Sequence, residues 1–411
     1  MSRTRDDLLV PRLVRDRLTL TLYAPFITWG WYLYCFSPAV PLIADEQGIS
    51  RGLAGLHGTA MACGTILSGL VSSQVAQRFG RRAMSLTGSA FLLTGIALLL
   101  SGSSLPETLA SCFVIAIGGN LTISAAQPAL SLHHGPAGAA AVTEANAMGA
   151  AVGLLAPLAL GTAVGLGWGW RPAVGLTALL AVVAALAMAS LSASGPLGRG
   201  IVDRSATDAA AQGRAGRGFS TAFWFFWVAL VCGVGIEFST TFWASDLLAR
   251  RTDAPGSVAA ASVSALVIGM SVSRFIVGPL SRRKAPEKLL LVGFAVAAAG
   301  WLLFWVATSP TLAIAGLVLA GLGYGTHFPL AISLVMRASD GRPDKAQSRS
   351  SLGIGGAVGI APFLLGSLAD VFGPHTAFLL VPLLIVVGAT ATGLGLRTVR
   401  RVQATERTPA V

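Results

Sequence analysis

Charge is what this chain has least of. Only 11% of its 411 residues are Asp, Glu, Lys or Arg, against about 25% in an ordinary soluble protein. A soluble core of this size needs a charged skin, and this composition cannot supply one. Acids are the scarcer sign, 17 against 29 basic residues, and there are only five histidines. They are scattered, with no H-E-x-x-H, G-x-S-x-G or Walker loop, so neither a membrane-embedded hydrolase nor a nucleotide-driven pump is expected. The four cysteines, Cys35, Cys63, Cys112 and Cys232, lie in apolar runs without metal-ligand spacing or a disulfide pattern. They read as small apolar side chains. No cofactor or metal is expected.

What is present is hydrocarbon. Hydrophobic residues make up 54% of the chain and the mean hydropathy is +0.72. They fall into runs longer than the roughly 18 residues needed to cross a bilayer as a helix. The expected class is an all-α polytopic membrane protein. The basic start, "MSRTRDDLLVPRLVRDR", precedes an apolar segment too long for a signal-peptide core and without a small-residue cleavage pattern. It reads as a first membrane helix.

Hydropathy divides the chain into twelve runs, at 18–43, 53–76, 83–102, 106–130, 138–167, 172–193, 219–247, 255–281, 287–308, 309–336, 347–371 and 375–396. Between the sixth and seventh, "SASGPLGRGIVDRSATDAAAQGRAGRG" is rich in Gly, Ala and Arg and has no apolar period, as in a flexible linker. The expected organisation is a six-helix bundle over 1–193, a linker over 194–218 and a second bundle over 219–411. The termini and even-numbered loops carry 24 Lys and Arg, the other side four, with Arg274 inside a run. That bias places both termini and the linker in the cytoplasm and the chain in the cytoplasmic (inner) membrane. The net charge of +12 is then an orientation signal, and nucleic acid is not an expected partner.

The chain is written twice. "GAAVGLLAPLALG" in the fifth run and "GGAVGIAPFLLG" in the eleventh align Pro157 and Gly161 with Pro362 and Gly366 at an offset of 205. The same offset pairs Ser73 with Gly278 and Gly118 with Gly323. One register kept across three helix pairs implies two similar six-helix halves, related by an axis along the membrane normal. The prolines suit helix bends.

This organisation resembles the major facilitator superfamily: two six-helix halves, a cytoplasmic linker and a basic loop after the second helix. The family's loop reads approximately G-x-x-x-D-R-x-G-R-R. Here "SQVAQRFGRR" keeps Arg78, Gly80, Arg81 and Arg82, with Ser73 for the first glycine and Gln77 for the aspartate. The second half keeps Gly278 but has Arg282, followed by Arg283, where the acid would fall. "GWGWRPAV" and "GLGYGTHFP" are also of the family's kind. The resemblance implies two pseudo-symmetric bundles (6+6) around a central cavity lined by helices one, four, seven and ten. It implies conformational roles for Gln77, Arg78, Gly80, Arg81, Arg82, Pro157, Gly161, Gly278, Arg282, Arg283, Pro362 and Gly366. The family's aspartate helps close the cytoplasmic side, and Gln77 cannot supply its charge.

Unusual polar groups fall on those helices. Glu237 sits inside the seventh run, with Gly233, Thr240, Thr241 and Ala244 on its face. A carboxylate at this depth defaults to function. It suits a proton carrier, because low dielectric favours the neutral acid and lets protonation follow the gradient as the cavity changes sides. It could instead bind a cationic solute, or accept hydrogen bonds across a helix interface. The repeat places Tyr32 opposite Glu237 and Thr122 opposite His327. Asn120 and Gln127 add polar groups on the fourth run, and Trp29, Tyr32 and Tyr34 add flat amphipathic walls. The candidates for binding solute are Trp29, Tyr32, Asn120, Thr122, Gln127, Thr240, Thr241, His327 and Arg274. His327 could relay protons, donate to solute or pack. Arg274 could be structural or gating, bind an anionic solute, or pair with Glu237. Asp45, Glu46 and Asp370 read as solvated or interfacial.

The leading expectation is a monomeric secondary transporter in membrane lipid, moving a small organic solute by alternating access and coupled to protons through Glu237. A polyspecific exporter is the alternative within the fold. A transporter-like sensor or scaffold without flux is the alternative outside it.

Overall fold

The computed structural model describes residues 13–199, 218–280, 284–339 and 343–407, and every regular element among them is helical. In order these are α1 (Arg17–Gln47), α2 (Arg51–Phe79), α3 (Arg81–Ser101), α4 (Leu105–His134), α5 (Gly138–Gly153), α6 (Ala156–Gly165) and α7 (Arg171–Ala189). After the linker come α8 (Thr221–Thr252), α9 (Gly256–Leu280), α10 (Pro286–Val306), α11 (Pro310–Arg337), α12 (Pro343–Phe372), the short α13 (Pro374–Ala377) and α14 (Leu380–Arg407). The fifth apolar run is thus two helices, with Pro157 in the first turn of α6. The twelfth is α13 and α14.

Local chemistry sets the starts. Asp16, Ser50, Ser220 and Ser309 each accept a backbone N–H from the first turn of α1, α2, α8 and α11. Ser104 and Glu107 form a capping box at α4. Prolines open α10 and α11, where the missing N–H has no partner to lose. Among the described residues eleven segments are long and apolar enough to cross a membrane. The shortfall from twelve is α1, which is 31 residues long. Trp29, Trp31, Tyr32, Tyr34 and three prolines dilute its hydropathy without shortening it.

Packing repeats at the offset seen in the sequence. In the first half Gly118 of α4 lies against Gly88 and Leu92 of α3; in the second, Gly323 of α11 lies against Gly293 and Ala297 of α10. Gly95 against Ile115 is likewise repeated by Gly300 against Ala320. All five positions of one set are 205 residues from their counterparts. At each of these four glycines, Gly118, Gly323, Gly95 and Gly300, a Cβ would collide with backbone of the neighbouring helix. Close backbone approach of this kind holds helices together in lipid, where there is little hydrophobic drive between them.

The seam between the halves repeats in the same way. The Thr59 hydroxyl of α2 donates to the Gly359 carbonyl of α12 (2.6 Å), and the Ser264 hydroxyl of α9 donates to the Leu154 carbonyl beside α6 (3.0 Å). Both accepting carbonyls stand three residues before a proline, Pro362 and Pro157. Gly366 of α12 meets the Arg51 backbone of α2, and Gly161 of α6 meets the Ser257 backbone of α9. Trp243 of α8 donates its indole N–H to the Pro362 carbonyl (2.8 Å).

These contacts lie toward the end of the bundle remote from the termini. The face of α2 packed on α12 through Gly55, Thr59 and Ile66 continues as Leu70, Ser73 and Gln77, which are exposed, Leu70 by 69%. The face of α9 packed on α6 through Ser257, Ala261 and Ser264 continues as Ile268 and Phe275, exposed by 45% and 77%. The halves are therefore closed at the remote end and parted at the terminal end.

The basic loop after α2 serves its own half. Arg82 donates to the Met188 and Ala189 carbonyls (3.3 and 2.6 Å) at the end of α7, a cation capping a helix C-terminus. Arg81 donates to the Pro196 carbonyl (3.3 Å) and its backbone N–H to that of Gly198 (3.2 Å). Gly80, at φ 87°, makes the turn that aims both. The start of the predicted linker is therefore bound to the first bundle, with Leu197 buried. Arg78 and Gln77 are exposed, and Arg78 lies over the Phe79 ring. Gly278 is in the last turns of α9, and Arg282 and Arg283 fall outside the described residues.

Candidate functional site

Glu237 stands midway along α8. Its neighbours from Cys232 to Ile236 and from Ser239 to Leu248 are buried, but Glu237 itself is half-buried. Thr241 donates its hydroxyl to the Glu237 backbone carbonyl (2.6 Å), and the Thr240 and Tyr324 hydroxyls share a hydrogen bond of 3.2 Å. Both threonines are spent on the protein. The carboxylate faces Tyr34 from α1, Arg274 from α9 and Tyr324 from α11, all within electrostatic range. It therefore lies where the two halves meet. No ion pair within 4.0 Å joins Glu237 to a cation among the described residues.

Arg274 is exposed although Met270 and Val267, on the same face of α9, are buried. It also approaches the Tyr34 hydroxyl. Trp29 is half-buried, seated on Gly119 of α4 and stacked on Tyr32 at 5.5 Å. Gln127 is exposed. Asn120 is half-buried and donates to the Ser68 hydroxyl (2.8 Å), tying α4 to α2.

Three of the predicted solute-binding residues are packing residues. Tyr32 is fully buried, stacked between Trp29 and Phe36 with its hydroxyl on the Cys112 sulfur (3.8 Å). Thr122 bonds the Gly119 carbonyl (2.7 Å) and abuts Gly88 of α3. His327 is 1% exposed, stacked on Phe294 at 4.2 Å and walled by Gly233 of α8. Instead the central group takes in Tyr34, which the sequence marks only as an aromatic wall, and Tyr324, for which the sequence carries no signal.

The remote end carries a charge network that spans the two halves. The Arg51 guanidinium lies 2.9 Å from Asp45 and 3.2 Å from Asp246, and Asp246, with a side chain 7% exposed, is 3.0 Å from Arg250. Asp370 of α12 accepts the Arg51 and Gly52 backbone N–H groups at 2.8 and 2.7 Å. A carboxylate of the second half thus caps the α2 N-terminus of the first, where the helix dipole favours an anion. The sequence placed these groups on one side of the membrane by span counting; it held no sign of their pairing. In the first half, Arg171 and Trp170 hold Glu46 of α1 at 2.6–2.8 Å.

A 116-residue stretch, 27% of this chain, is 34% identical to an uncharacterized MFS-type transporter of Burkholderia mallei, of which it covers 26%. Among solved structures, a bacterial homolog of the human lysosomal transporter Spinster, inward-facing and occupied, superposes with a TM-score of 0.75 at 17% identity. The match covers 93% of this chain and 96% of that one. A D-xylose–proton symporter superposes with the same score at 14% identity, covering 92% and 96%. At such identities these likenesses speak for the fold, two bundles of six helices. The sequence also matches the Major Facilitator Superfamily over residues 26–340 and 225–410, and the chain belongs to that family of membrane transporters.

Proposed function

We propose that this chain carries a small organic solute across the cytoplasmic membrane by alternating access, coupled to protons at Glu237. The observation that carries the reading is a half-buried carboxylate on the seam between the halves, in no ion pair among the described residues, beneath an end that stands open. An acid so placed can exchange a proton with water on one side, and the opposite side gains access when the halves rock. The charge bias of the loops makes the open end cytoplasmic, so this is the inward-facing state. The rocking bodies are the bundles over 1–193 and 219–411, the start of the linker over 194–218 moving with the first of them, and they act as a single chain.

The test is made in proteoliposomes. A thermal-shift screen of sugars, organic acids, amino acids and lipophilic cations identifies a solute, which at 100 times its Kd stabilises by about 2.7 kcal/mol. Wild type is expected to accumulate that solute under an imposed pH gradient. Glu237→Gln is expected to keep solute counterflow, which needs no net proton movement, and to lose gradient-driven accumulation. Unchanged accumulation in Glu237→Gln removes the coupling role. Binding without counterflow in wild type points to the sensor reading.

A further inference from the structure

Arg274 has no assigned work. It lies two turns from the described end of α9, and its side-chain surroundings divide sharply. Val267 and Met270, at i−7 and i−4, share its face and are buried. Phe275, next in sequence, continues the seam face of α9 and is exposed by 77% where the halves part. Arg274 is exposed beside it, toward the parted interior from which Tyr34 and Glu237 reach it. None of the ion pairs among the described residues includes it. A guanidinium at membrane depth normally pairs or hydrogen-bonds; this one reaches the Tyr34 hydroxyl and leaves the Glu237 carboxylate beyond ion-pair distance.

We infer that Arg274 is the anchor for a small monovalent organic anion, a carboxylate, and that Glu237 competes with that anion for it. Guanidinium and carboxylate form two parallel, charge-assisted hydrogen bonds, the strongest contact available to a solute here. A single guanidinium that enters none of the ion pairs among the described residues suits one negative charge. The half-buried rings of Trp29 and Tyr34 can cover a small organic body. The inference rests on the proposed proton coupling for its second part and joins the two residues in one cycle. With Glu237 ionised, its attraction holds Arg274 and disfavours a second anion. A proton taken from the open end neutralises Glu237 and frees Arg274 for the solute. One proton and one anion then cross as a neutral pair, and loss of the proton on the far side restores the competitor. Among the described residues the titratable groups facing Glu237 are Arg274 of α9, Tyr34 of α1 and Tyr324 of α11, while His327 is sealed behind Gly233.

The experiment compares purified wild type, Arg274→Gln, Arg274→Lys and Glu237→Gln by thermal shift. The probes are acetate, lactate, pyruvate and benzoate, each with its neutral amide, at mildly acidic and mildly alkaline pH. At least one acid is expected to stabilise wild type, more strongly at acidic pH, and its amide is not. Arg274→Gln is expected to weaken that acid by about 10- to 100-fold, the loss of one charged hydrogen-bonded contact, with part of the affinity restored in Arg274→Lys. Glu237→Gln is expected to bind the acid at alkaline pH as wild type does at acidic pH. Equal binding of acid and amide, undiminished binding by Arg274→Gln, or no stabilisation by any of the four acids overturns the anion site. If Arg274→Gln loses the acid while Glu237→Gln keeps the wild-type pH dependence, the anion site is upheld and the coupling reading falls.

Discussion

Replacing Asp370 by Ala is expected to open the end of the bundle remote from the termini in a measurable fraction of molecules. The carboxylate makes two hydrogen bonds to the α2 N-terminus, and loss of an N-terminal cap costs about 0.5–2 kcal/mol. This cap crosses between the halves, so its loss weighs on the closed state alone and shifts the population by up to roughly 30-fold. Arg51→Ala removes the guanidinium that joins Asp246 of the second half to Asp45 of the first. Asp246 is then left with Arg250 of its own helix. Both changes act on one helix turn, so their effects will not add independently. Spin labels at Leu53→Cys and Val371→Cys, exposed positions beside the latch, report the opening as a second, longer distance. A single unchanged distance in both variants would show that the glycine contacts and the Thr59 and Ser264 hydrogen bonds hold the remote end without the charge network.

The second large effect is on stability. Gly118→Leu and Gly323→Leu each place a Cβ against the backbone of the adjacent helix. Backbone cannot give way as a side-chain tip can, and overpacking costs about 1–3 kcal/mol, occasionally more. Each variant is expected to lower the Tm in detergent, and the double variant by close to the sum, because the two sites lie in different halves. Gly393→Ala, whose Cβ would meet nothing within 4 Å, should stay within about 0.5 kcal/mol of wild type. A neutral Gly118→Leu would contradict the close approach of α3 and α4.

The architecture was legible because a bilayer imposes its length on the chain and the loops record sidedness. The offset of 205 was legible because both halves bury glycine at the same helix crossings, so that Gly118 with Leu92 is echoed by Gly323 with Ala297. The rotation of each helix was not. A span in lipid is apolar on every face, and sequence period alone does not say which face is central. The repeat therefore paired Tyr32 with Glu237, whereas Tyr34, on another face of α1, reaches the central charges and Tyr32 packs. The same gap put Thr122 and His327 in the solute path, although each is fitted against a glycine of a neighbouring helix. Glu237 and Arg274 stood out because charge inside an apolar run is costly wherever the face points. Asp370 and Asp246 did not, because near a helix end an acid is unremarkable until its partner from the other half is known.

The central claim is that Glu237 meets water from one side of the membrane at a time. It is tested by Glu237→Cys in a background lacking Cys35, Cys63, Cys112 and Cys232, treated with a membrane-impermeant thiol reagent in vesicles of each orientation. Labelling is expected from the side of the termini, and from the opposite side once Asp370→Ala is added. A cysteine at this position that reacts from neither side would mean that the carboxylate is sealed between helices, and the transport role given to it would fail.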